Sequence, residues 1–296
     1  MKIIQFNKYY KHFGLFSLML IIISLSLLFF KGLNYGVDFK GGTLIEVRLE
    51  TSDHSVAKVR DVFSNSNLPN LTVKNFGNNK DYIIKFQKQN LNNPEFINNL
   101  KNKVIKSFPD INFRRVENVG PKVSKELLNA GLLAISLSLA AMLFYIWIRF
   151  EWQFSLGAIV ALIHDVIITI GIFSFLSYEI NLSIIAAVLT IVGYSMNDTV
   201  VIFDRIRENL KKYSKISIAE ISDISTNETL SRTLITSVTT LLALVSIFVF
   251  GGAILKGFSF AMIVGVVIGT YSSIFVATPI LNYTKVSQKT VLKEDN

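Results

Sequence analysis

No cysteine occurs in the 296 residues, which removes disulfide frameworks and thiolate metal sites. Histidine is almost as scarce, and His12, His54 and His164 are too scattered to make a cluster with metal-ligand spacing. Neither a phosphate-binding loop nor a nucleophile motif is present, so the chain is not expected to act as an enzyme or to need a cofactor. Charge is thin too: 17% of residues are charged and 51% hydrophobic. A mean hydropathy of +0.46 exceeds what a soluble core of this size needs and points to a membrane protein. The net charge of +9 is no sign of nucleic acid, because Lys and Arg lie mostly at the ends of apolar runs, where they anchor a lipid surface.

Six stretches with almost no charge are long enough to cross ~30 Å of hydrocarbon: residues 13–30, 130–148, 154–176, 180–203, 233–255 and 258–284. The first follows Lys2, Lys8 and Lys11 as a signal peptide would. No alanine precedes Ala57 and no A-x-A site follows the run, so a retained helix is expected. Six spans put both termini on one side. The N-terminal lysines, Arg149, the group from Arg205 to Lys215, Lys285 and Lys289 all fall there, and the bias of basic residues makes that side cytoplasmic. The opposite short loops hold only Glu179 and Lys256, and the long polar segment 31–125 belongs outside with them.

That polar segment alternates strand and helix signals. "TLIEVRLE", "LTVKNF", "DYIIKFQ" and "INFRRVENV" read as strands, residues 55–66 and 94–108 as helices, and Gly77-Asn78-Asn79 as the turn between the middle strands. The order βαββαβ is that of the ferredoxin-like split fold. The expected fold is a six-helix membrane protein with this α+β domain, extracytoplasmic, between its first two helices. The expected divisions are a tail and first helix (1–30), the α+β domain (31–125), a five-helix membrane domain (126–284) and a cytoplasmic tail (285–296).

Charges inside the apolar runs are the candidates for chemistry. Asp198 lies ~27 Å along the fourth run from its outer end, and Arg232 lies ~27 Å from the outer end of the fifth if that helix ends at Gly251-Gly252. The two are level. Thr236, Thr239 and Thr240 extend a polar stripe from Arg232 toward a neighbouring helix. Two readings stand open: a functional pair, or an interfacial Asp198 with Arg232 reaching up to headgroups. Asp165 lies ~18 Å inside the third run, where an unpaired Asp costs roughly 2.5–3.5 kcal/mol, so it is expected to be protonated, hydrogen-bonded or facing water. His164 is its polar neighbour, although adjacent helical residues point apart. In the last run Ala261, Gly265, Gly269, Ser273 and Ala277 recur every fourth residue, a strip suited to close helix packing.

"GLNYGVDFKGGT" after the first run resembles the signature of the SecD/SecF family, accessory membrane subunits of the bacterial Sec protein-export machinery. The segments "VGPKVSKELL", "RFEWQFS", "HDVIITIGI", "GYSMNDTVVIFDRIREN", "SRTLITSVTTL" and "GFSFAMIVGVVIGTYSS" follow the family's SecF pattern in order, with departures at Ala253 and Lys256. The resemblance implies a member of the proton-driven resistance-nodulation-division superfamily, with protons as the coupling ion and no other cofactor or metal. It implies proton-relay roles for Asp198 and Arg232, to which depth adds Asp165. It further implies residence in the bacterial cytoplasmic (inner) membrane, and SecD as the missing six-helix half. The other implied partners are the SecYEG channel with its SecA motor, YajC and YidC, and the secreted polypeptide, with no nucleic acid. The alternatives are a half-size proton-driven exporter of small molecules or lipids and a passive assembly subunit of the translocon.

Overall fold

In hydrocarbon an apolar run can satisfy its own backbone only as a helix, and all six runs are helical in the computed structural model, which describes residues 3–50, 55–66, 68–76, 78–87, 94–213 and 215–292. The first spanning helix is α1 (Tyr10–Phe30). The polar segment holds β1 (Gly42–Leu49), α2 (Val56–Ser64), β2 (Thr72–Phe76), β3 (Asn78–Phe86), α3 (Pro94–Ser107) and β4 (Ile111–Val119). The remaining long helices are α4 (Pro121–Arg149), α5 (Trp152–Leu176), α6 (Leu182–Lys212), α7 (Ile218–Phe250) and α8 (Gly252–Ser272). The last of them continues through a π-helical turn, Ser273–Ala277, into α9 (Thr278–Tyr283), and a short α10 (Gln288–Leu292) follows. The chain divides into two compact units, Met1–Asn34 with Leu133–Asn296, and Tyr35–Leu132.

Several helices outrun the apolar stretches that announce them. α6 runs nine residues past 203, and α7 begins fifteen residues before 233. At 31 and 33 residues they are ~46 and ~50 Å long, well beyond a ~30 Å hydrocarbon layer. A hydropathy count stops at the first charges, whereas the helices continue because those charges pair across the hairpin. Arg205 bridges Glu228 at 2.6 Å and Glu208 at 2.7 Å, and Asn209 donates to Ser225 Oγ at 2.9 Å and to Glu228 at 2.8 Å. The turn is sealed by Ser217, whose hydroxyl accepts the Glu220 N–H as an N-cap. α4 likewise starts at Pro121, since proline suits the first turn of a helix.

The small-residue strip of the last run packs inside the membrane unit, against α6. A Cβ on Gly265 would fall 2.3 Å from Ile191 Cγ1, and one on Gly269 would fall 2.9 Å from Ser195 Cβ. The strip therefore joins two helices of this chain and is not free to receive a partner. The π turn has a local cause, because Pro279 lacks an N–H and its ring crowds the carbonyl one turn back. The Thr278 hydroxyl donates to Ser273 O at 2.8 Å within that turn.

α1 is fastened at both ends. Near its C-terminus, Lys31 Nζ donates to Phe175 O at 2.7 Å, and the Ser174 hydroxyl of α5 lies 2.7 Å from Gly32 O. At the other end the segment before α1 docks on α7: Ile4 N donates to Asn227 Oδ1 at 3.0 Å, and Asn7 N donates to Asp223 Oδ1 at 2.9 Å.

In the second unit the four strands form one antiparallel sheet in the order β2-β3-β1-β4, the ferredoxin-like arrangement. Alternation sends Ile45, Val47 and Leu49 of β1 and Tyr82, Ile84 and Phe86 of β3 into a core with Val59 and Phe63 of α2 and Leu100 and Val104 of α3. Gly77, expected at the β2–β3 turn, lies outside the described residues. Gly42 is required where it stands: its φ is +130°, and a Cβ would meet Phe86 O at 2.7 Å.

Candidate functional site

Two carboxylates sit inside the membrane unit, each 2% exposed or less, and each is met by hydroxyls from a different helix. Asp165 of α5 is held on three sides. Its Oδ1 lies 2.8 Å from His164 Nδ1, and its Oδ2 accepts the Ser195 hydroxyl of α6 at 2.6 Å and the Ser272 hydroxyl of α8 at 2.8 Å. Although neighbours on a helix diverge at Cβ, the Nδ1 edge of the His164 ring turns back far enough to reach the carboxylate. The far face of that ring stacks on Tyr271 at 6.1 Å, and the Tyr271 hydroxyl donates to Phe13 O at 2.8 Å. One buried carboxylate thereby ties α5, α6 and α8 together, and α1 through a ring. This is the hydrogen-bonded state that its depth demands.

Asp198 of α6 is held more loosely. Its Oδ2 has the Thr270 hydroxyl at 3.5 Å, the outer limit of a hydrogen bond, and Thr270 pairs with Ser237 of α7 at 2.7 Å. Arg232 is near enough to act on Asp198 through space, yet it makes no ion pair with it among the described residues. Its side chain lies on an exposed face of α7 with Ile235, Val238 and Leu242. The expected Thr stripe divides: Thr236 and Thr239 donate to the carbonyls of Arg232 and Ile235 in their own helix, while Thr240 receives the Tyr194 hydroxyl of α6 at 3.3 Å.

Of the residues expected to act, Asp198 and Arg232 are thus neighbours, and Asp165 stands in a separate network. The two networks meet on α8, where Thr270 serves one and Ser272 the other. Sequence reasoning passed over Ser195, Ser237, Thr270 and Ser272. Ser195 stands one turn before Asp198 but donates to Asp165, 30 positions away, so no local spacing pointed to its partner.

The second unit has its own charged face. Arg48 grips Asp81 with two 2.7 Å hydrogen bonds, which hold that carboxyl below the usual range. Glu46 on the same face is 4% exposed, and burial pushes its pKa up against the pull of Arg114 and Arg115. A cavity of about 570 Å³ opens beside Gly41 and Gly42, lined also by Lys40, Asn70 and Gln87.

Residues 99–287 match the family described as protein export membrane protein SecD/SecF, C-terminal, and residues 26–53 match the SecD/SecF GG motif, which contains the two glycines at that cavity. The chain belongs to the SecD/SecF family. It is 46% identical over 268 residues to the protein translocase subunit SecF of Rickettsia bellii (strain OSU 85-389), covering 90% of this chain and 88% of that one. It is 45% identical over 282 residues to the SecF subunit of Vibrio alginolyticus, covering 94% and 88%. Among solved structures it is similar to SecDF of Thermus thermophilus, a translocon-associated membrane protein, with a TM-score of 0.86 and 33% identity. A structure of SecDF in a Super-membrane-facing form gives a TM-score of 0.71 and 32% identity. This chain covers 95% and 100% of its own length in those matches but spans only 38% and 40% of the SecDF chains.

Proposed function

We propose that this SecD/SecF family member assists the export of polypeptides by letting protons move down their gradient, with Asp198 as the proton carrier and Arg232 as the charge that governs it. The observation that carries the reading is the loose setting of Asp198: a buried carboxylate with the Thr270 hydroxyl at 3.5 Å, the Ser237 hydroxyl beside it, and a guanidinium nearby that makes no ion pair with it among the described residues. Approach of Arg232 favours the ionised form and withdrawal into an apolar setting favours the protonated form, so a small helix shift changes proton occupancy. Asp165, already satisfied, holds the helices that carry Asp198 and Thr270. No cofactor or enzymatic step enters this account; the chemistry is proton transfer alone.

The partner is SecD, which supplies the remaining membrane helices. The long SecDF chains, of which this one spans about two fifths, support that reading, as does the exposed face of α7 that carries Arg232. Clients pass through SecYEG under the SecA motor, with YajC and YidC as accessory proteins. The chain resides in the cytoplasmic (inner) membrane, with its termini inside and the Tyr35–Leu132 unit outside.

Export into membrane vesicles, measured with and without an imposed gradient at matched protein levels, tests the mechanism. Asp198→Asn and Arg232→Met should each abolish the gradient-dependent component and leave ATP-driven translocation intact; full stimulation in Asp198→Asn would defeat the proposal and favour a passive assembly role. For orientation, a cysteine replacing Lys106 should react with an impermeant reagent added outside cells permeabilised at the outer membrane, and one replacing Lys215 should not. The reverse pattern inverts the topology.

A further inference from the structure

Asp198 is sealed from the side that carries α10 and the docked N-terminal segment by packed apolar residues, among them Ile202 and Ile206 of its own helix. A proton leaving it needs a polar route through that packing. α7 supplies polar side chains on a single face: Ser222, Thr226, Thr229, Thr233 and Ser237 follow one another at spacings of four, three, four and four residues. Every one is at most 8% exposed. The stripe covers ~22 Å along the helix, from Ser237, which meets Thr270 beside Asp198, to Ser222, next to Asp223.

The hydroxyls of Ser222, Thr226 and Thr233 have no hydrogen-bond partner among the described residues, although each is 98% or more buried. A Thr or Ser in a helix normally silences its hydroxyl by donating to the carbonyl one turn back, as Thr229 does to Ser225 O at 2.9 Å. These three do not. At the lower end the Tyr10 hydroxyl is also buried and unpartnered, in the segment whose backbone is held by Asp223. Four orphan hydroxyls along one path is more than a packed core tolerates, since each unmet group carries its full desolvation penalty. Successive hydroxyls stand about one helical turn apart, ~5.4 Å, too far for a direct O–H···O hydrogen bond of ~2.7 Å and close enough to be linked through intervening water.

We infer that this face of α7 is a hydrated proton path connecting Asp198, through Thr233, Thr226 and Ser222, to Asp223 and Tyr10. It rests on the proton-carrier reading of Asp198 and gives that reading its route between the buried carboxylate and the Asp223 end of the helix. The orphan hydroxyls are the water sites of the wire, and Asp223 is its terminal acceptor.

The test uses the intact complex in vesicles, with Thr226→Val/Thr233→Val, which removes two hydroxyls at nearly constant shape. The expected result is a fall of about tenfold in the gradient-dependent component of export, with the ATP-driven component and the melting temperature of the solubilised chain held or lowered. Thr226→Ser/Thr233→Ser, which keeps both hydroxyls, should retain the stimulation. A dry stripe predicts the opposite, because valine would relieve two unmet polar groups: a raised melting temperature with stimulation unchanged overturns the proposal. Equal loss in the Ser and Val variants also overturns it, since packing and not the hydroxyl would then be at stake. Should the double Val variant fail to accumulate, Ser222→Ala carries the same readout, and undiminished stimulation there counts against the path. Asp198→Asn run in parallel separates the two claims. Stimulation lost there but kept in the Val variants removes only the path, whereas stimulation kept in Asp198→Asn removes the carrier.

Discussion

Asp165 and Asp198 are two carboxylates on adjacent helices, similarly buried, and they differ in how completely they are held. Asp165 has three partners within 2.8 Å, whereas the Thr270 hydroxyl stands 3.5 Å from Asp198, with the Ser237 hydroxyl beside it. A fully met carboxylate fixes a protonation state and a geometry, and an under-met one is free to change both. In the proposed function the first is a structural rivet and the second the working part, although by depth alone Asp165 is the more costly residue.

Thermal unfolding of the solubilised chain should separate the two. The largest effect is expected from Asp165→Ala, which strands His164, Ser195 and Ser272 at once and should destabilise by about 3–5 kcal/mol. Asp165→Asn keeps an acceptor for the serines but disturbs the 2.8 Å contact with His164, and about 1–3 kcal/mol is expected. Asp198→Asn should cost less than about 1 kcal/mol despite abolishing gradient-driven export. If Asp198→Asn proves as destabilising as Asp165→Asn, the distinction collapses.

A third carboxylate, Glu46 on the sheet of the second unit, sharpens the contrast because its environment is wrong in the opposite sense. Burial raises its folded pKa, so the fold binds that proton more tightly than the unfolded chain does. Its ionisation therefore works against the fold as pH rises through the unfolded value, about 4.3, toward the folded one. Asp81, lowered by Arg48, has the reverse sign: its contribution is present above the unfolded value and lost as pH falls through the folded one. Glu46→Gln should increase amide-exchange protection of the sheet at neutral pH and lose its advantage near pH 4, while Asp81→Asn should reduce protection at neutral pH. These shifts should be the smallest of the set, and protection unchanged in Glu46→Gln would show that the buried charge is already compensated by Arg114 and Arg115.

The sequence disclosed those elements whose signal is local. Six apolar runs became six helices, and strand alternation with two amphipathic helices became the split sheet, because hydropathy and period act within a few residues. The α6–α7 hairpin beyond 203 stayed hidden since its helicity depends on pairs such as Arg205–Glu228, which are 23 residues apart. The level of Asp198 and Arg232 followed from counting rise per residue, but no count discloses that Arg232 makes no ion pair with Asp198 among the described residues, which depends on side-chain path. Ser272 looked like one more small residue in a packing strip. Its hydroxyl gained meaning only when α8 met Asp165, 107 positions away.

The fastening of α1 sets a schedule for the growing chain. Phe13 O waits for a hydroxyl 258 residues downstream, and at a synthesis rate of about 5–20 residues per second that donor arrives roughly 13–50 s after its acceptor. The contacts at the other end of α1, to Ser174 and Phe175, come from a helix made more than 90 residues sooner, since Tyr271 follows Phe175 by 96 positions. The first helix is therefore captured at its C-terminal end first, the segment before it then docks on Asp223 and Asn227 of α7, and the Tyr271 hydroxyl completes the fastening when translation is nearly finished. Premature termination before Tyr271 would leave a chain whose first helix lacks the last of these fastenings, the bond to Phe13 O.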